Sequence, residues 1–75
     1  MTKDEIKSVR AGAAEMLRNH NWVRDMRAAE SALRANHPDR PTDAHASSGY
    51  AEQALSRCGR DVDAAIALLE SDDPM

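Results

Sequence analysis

Residues 50–70 read YAEQALSRCGRDVDAAIALLE. Ala51, Ala54, Leu55 and Cys58 recur every three or four positions, the spacing of one helix face. Gly59 then offers the left-handed backbone that ends many helices. Asp61 is placed to cap a second helix, setting a carboxylate against free amides where the dipole favours it. Val62, Ala65, Ile66 and Leu69 form the buried face of that second helix, and Leu68 widens it or lies at its exposed edge. Two short helices with a Gly-Arg link are the economical reading, with Val62 meeting Leu55 and the seam running on through Ile66 and Leu69.

The same period continues upstream. Ala44, Ser47 and Ala51 prolong the stripe, so a helix is expected over about 43–58 with Thr42 or Asp43 as cap. Ser48-Gly49 is its weak point, and a start at Tyr50 is the alternative. Pro38 and Pro41 interrupt regular structure just before it. Ahead of them, Trp22, Val23, Met26, Ala29 and Leu33 share a face, predicting a helix over about 21–36 capped by Asn21. Ile6, Val9, Ala13, Met16 and Leu17 mark another over about 3–19, with Thr2 and Glu5 in capping-box positions. Gly12 weakens that helix or lets a neighbour approach closely. The short break at Asn19-His20-Asn21 favours an antiparallel hairpin of the first two helices, with one continuous helix as the alternative. No segment alternates polar and apolar residues for long, which disfavours strands. The expected fold is an all-α bundle of four helices in a single domain, residues 1–75: a hairpin over 3–36, a proline loop over 37–42 and a helical pair over 43–71.

The pattern Ala54-Leu55, Gly59-Arg60-Asp61-Val62, Ala65-Ile66, Leu68-Leu69 resembles the last two helices of the ubiquitin-associated (UBA-like) superfamily. That superfamily includes modules of elongation factor Ts and of the nascent-chain-associated complex. The resemblance covers residues 50–70 and implies a three-helix arrangement, read here over the second to fourth segments, that contacts other proteins. Ubiquitin-binding members use a Met-Gly-aromatic loop; Gly49-Tyr50 echoes its last two residues, with Ser48 in place of the Met.

His37-Pro38-Asp39 follows a segment carrying Arg24, Arg27 and Arg34. The tripeptide resembles the signature loop of the J-domain, whose members stimulate the ATPase of seventy-kilodalton heat-shock chaperones. That resemblance implies a contact loop at His37, Pro38 and Asp39; Asn36 stands where the family carries a Tyr. Without it, Pro38 and Pro41 end a helix, Asp39 makes a turn, and His37 sits at the negative end of a helix dipole.

Composition narrows the remaining functions. The chain has 75 residues, a net charge of -3, one Trp, one Tyr and no Phe. An Ala-rich core supplies little apolar area, so self-association or support from a partner is expected. Six Arg lie in the first forty residues, while Asp61, Asp63, Glu70, Asp72 and Asp73 make the end acidic. Excess Arg over Lys suggests a GC-rich bacterial or phage genome. Without a cationic excess, nucleic acid is an unlikely ligand, and a helix-turn-helix DNA binder is the lesser alternative. Cys58 is alone, so no internal disulfide forms and a cytoplasmic location is expected. No apolar run spans a membrane. His20, His37, His45 and Cys58 lack metal-ligand spacing, and neither a cofactor nor catalysis is expected. The expected function is non-catalytic protein binding, as adaptor or inhibitor. The candidate contact residues are Trp22, Arg24, Met26, Arg27, Gly49, Tyr50 and Leu68, because aromatic and Arg side chains anchor interfaces.

Overall fold

The computed structural model describes residues 2–19, 25–39 and 43–75. Four helices account for most of them: α1 (Lys3–Asn19), α2 (Met26–Asn36), α3 (Asp43–Arg57) and α4 (Val62–Glu70). There is no strand among the described residues, and the fold is an all-α small bundle.

Local chemistry sets the ends. The Thr2 hydroxyl accepts from the Glu5 amide and donates to the Glu5 carboxylate, each at 3.2 Å. At α4, the Asp61 carboxylate accepts from the Ala64 amide at 3.1 Å. The turn before it has Gly59 at φ 60° and Arg60 at φ 68°. Arg60 donates its amide to the Leu55 carbonyl at 2.7 Å, which closes the end of α3. Gly59 takes the left-handed backbone expected of it; the second left-handed residue, Arg60, has no such signal in the sequence. Ser48 and Gly49 lie inside α3, which begins at Asp43 rather than at Tyr50.

The start of α2 differs from expectation. Asp25 is its cap, in extended backbone with its carboxylate accepting from the Ala28 amide at 3.1 Å. The helix therefore begins at Met26 and not at Asn21. Because Asp25 is extended, α1 and α2 are separate helices. Asn21 has the same capping chemistry and stands before an equally apolar stretch, so composition alone does not choose between the two.

The helix pairs in closest association are α1 with α3, α1 with α4 and α3 with α4; α2 touches α1 and α3 but not α4. Of the four helices, α1, α3 and α4 are thus the three most closely associated with one another. At the α1–α2 contact, Leu33 lies beside Gly12 and His37 beside Glu15.

The core follows the apolar stripes. Val9, Ala13, Met16, Leu17, Ala29, Leu33, Ala44, Ala51, Ala54, Leu55, Ala65, Ile66 and Leu69 are all buried. Many are alanines, so the helices must come close for side chains to meet. Gly12 shows how: a Cβ there would lie 2.5 Å from Ser47 Oγ. Ser47 is itself fully buried and donates to the Val9 carbonyl at 2.9 Å.

The residues after α4 are held by contacts to the rest of the bundle. Arg10 donates from Nη2 to the Leu68 carbonyl at 2.7 Å, from Nε to Leu69 at 3.2 Å and from Nη1 to Asp73 at 2.8 Å. Ser71 Oγ also donates to the Leu68 carbonyl, at 2.7 Å. Met75 rests partly buried against the core.

Candidate protein-binding surface

The first turn of α2 carries the exposed apolar anchor. Met26 is 48 % exposed, the one large apolar side chain among the described residues that is classed as exposed. It belongs to the stripe that also holds Ala29 and Leu33, but those two are buried and Met26 is not. Met26 is the first residue of α2, directly after the extended Asp25 cap. Arg27 is exposed beside it and makes no ion pair among the described residues. Trp22 and Arg24, also expected here, lie outside the described residues.

The other candidate residues are on different elements. Gly49 is exposed, with open space around its backbone, and Tyr50 is half-buried beside it on α3. Leu68 is half-buried against the core on α4, and its carbonyl serves Arg10. In the loop tripeptide, His37 is half-buried and its Nε2 lies 3.1 Å from Glu15 Oε1 on α1. Pro38 and Asp39 are the exposed part of that turn. The His37 amide also donates to the Leu33 carbonyl at 3.0 Å, so the residue closes α2.

A groove of about 840 Å³ runs along the outer side of α1 beside the end of α4. Ile6, Ala11, Ala14 and Leu69 supply its apolar surface, and Lys3 and Lys7 stand near one end. Toward the other end, Arg18 is ion-paired with Glu70 at 2.7 Å. The sequence pattern concealed this groove, because its two walls are about sixty residues apart and Ala11 reads as an ordinary helix former.

No group of three or more His, Cys, Asp or Glu is gathered to hold a metal ion among the described residues. The exposed residues of α4 are Asp63, Ala64, Ala67 and Glu70, two carboxylates with no cation. No described helix is long and apolar enough to cross a membrane. Comparison of the chain with protein-family models, curated proteins and solved structures finds no match.

Proposed function

We propose that this chain is a small, non-catalytic protein-binding domain, an adaptor or stoichiometric inhibitor acting in the cytoplasm, with its partner seated on the start of α2. Met26 carries the reading. An unbranched, polarizable side chain nearly half in water, beside a free guanidinium, is the kind of anchor that seats in a partner's pocket. The alanine-rich core supports the same view, since a partner contributes apolar area that 75 residues of small side chains lack. The lone Cys58 suits a reducing compartment. Binding acts by occlusion or tethering, and no bond is made or broken.

Photo-crosslinking from position 26 in the cells that make the protein tests this directly. A single protein joined at one-to-one stoichiometry from position 26, and not from exposed Ser56 on α3, is the expected result. Met26→Glu should abolish co-purification of that protein while the helical circular dichroism is unchanged. Equal recovery by Met26→Glu and the unaltered chain would reject the reading, as would the absence of any stoichiometric crosslink.

A further inference from the structure

Among the described residues, α2 is the one helix whose solvent face carries cations and no carboxylate. Its exposed charges are Arg27 and Arg34. The exposed face of α1 mixes both signs, that of α3 sets Glu52 beside Arg57, and that of α4 has only Asp63 and Glu70. Arg18 and Arg60 are paired with Glu70 and Glu52, whereas Arg27 and Arg34 make no ion pair among the described residues. Arg27, Ser31 and Arg34 follow at four- and three-residue spacing and stand in one row. At the rise of an α-helix the two arginines are about 10 Å apart along the axis. Ser31 between them, and Ala28 and Ala35 beside them, are exposed and short. A second helix axis can therefore come within about 8 Å. The carboxylates nearest in sequence are engaged or lie off this row. Asp25 caps the helix through the Ala28 amide. Glu30, one turn from each arginine, is turned to α3; its side chain is 16 % exposed and its Oε1 lies 3.9 Å from His45 Nδ1. Asp39 stands in the turn beyond the helix end, and Arg24 and Arg40 lie outside the described residues.

We infer that the outer row of α2 docks an acidic helix of the partner protein, with two carboxylates on that helix meeting Arg27 and Arg34. Carboxylates at the same spacing as the arginines span two turns, as the arginines do, so both pairs close in one register. A guanidinium takes a carboxylate through two parallel hydrogen bonds, which fixes orientation as well as attraction. The inference rests on the reading above that a protein seats on the start of α2, and it adds the chemistry of that protein: apolar around Met26, acidic along the two turns that follow. A long polyanion such as nucleic acid fits less well. It would extend across a chain whose net charge is -3. A short acidic helix feels chiefly the charges within a Debye length, about 8 Å at physiological salt.

Chemical-shift titration of the isotope-labelled chain with synthetic peptides tests it. The probe is an alanine-based helical peptide with two glutamates on one face at the spacing of Arg27 and Arg34; its twins carry glutamine or lysine there. The glutamate peptide should shift the amides of residues 27–35, and the twins should not. Added salt should weaken the binding. Arg27→Gln combined with Arg34→Gln, both at exposed positions, should weaken it by about tenfold or more with unchanged circular dichroism. Met26→Ala should leave it unchanged, because the peptide has no apolar anchor. Photo-crosslinking from position 26 reports on the functional reading alone, so the two fail separately. No shift at millimolar glutamate peptide would overturn the inference, as would equal shifts from the glutamine peptide. Shifts centred on Lys3 and Lys7 of α1, or binding indifferent to the double variant, would do the same. A short DNA duplex that moves the α2 amides at lower concentration than the peptide would overturn it in favour of a polyanion site.

Discussion

Gly12 and Ser47 set the distance between the two most closely packed helices. Sequence spacing places Gly12 beside the buried row of α1 and Ser47 within that of α3, and suggests a close approach at Gly12. It does not identify the neighbour, because a glycine accepts any helix. The structure supplies the pair: a Cβ at position 12 would meet Ser47 Oγ at 2.5 Å but Ser47 Cβ at 3.4 Å. Gly12→Ala should therefore destabilise the fold by about 1–3 kcal/mol, the cost of overfilling a packed site, despite the better helix propensity of alanine. Ser47→Ala alone removes a buried hydroxyl whose bond to the Val9 carbonyl contributes about 1 kcal/mol. Combined with Gly12→Ala it also removes the clashing atom. The double variant should be more stable than the sum of the two single effects, in urea unfolding followed by circular dichroism. Strict additivity would mean that position 12 has room.

At the scale of elements, features set by chemistry within a few residues are legible in the sequence, and those that depend on distant partners are not. The caps at Thr2 and Asp61 and the left-handed Gly59 lie within a few residues of the helix ends they serve. Helix α2 is the exception: Asn21 and Asp25 offer equivalent caps in the sequence, and Asp25 is the one that caps the helix. Among the contact candidates, Met26 and Arg27 lie together on the exposed start of α2, while Tyr50 and Leu68 are half-buried on α3 and α4. A stripe at helical spacing tells which residues share a face, but not how far along that face a neighbour reaches. The Arg10 clamp on α4 was equally illegible, being a contact across 58 to 63 residues. Its removal makes an element-level prediction. Arg10→Met keeps the aliphatic stem but strips the carbonyls of Leu68, Leu69 and Asp73 of a charged donor. Stability should fall by about 2 kcal/mol, and amide exchange should accelerate first in the last turn of α4. Arg10→Lys should recover only part, since an ammonium cannot span three carbonyls as a planar fork does. Unchanged exchange in residues 68–71 would show that the clamp contributes nothing to that helix end.

Taken whole, the molecule is a slab, 30 Å by 30 Å and only 14 Å thick. A body so thin has few residues screened on all sides, which is why its core lies along α1 and α3 and α2 remains a satellite. Four helices were legible because each carries its own apolar row. Their mutual arrangement was not, because alanine and glycine faces are nearly interchangeable and do not specify which rows meet.

Arg10 grips peptide oxygens, and every amino acid supplies one of those. Mutation can therefore rewrite the side chains between positions 68 and 73 with little effect on this fastening, so long as the course of the main chain is preserved. What limits the composition of that last turn is the packing of Leu68 and Leu69 against the core, while its anchorage to Arg10 is indifferent to side-chain identity.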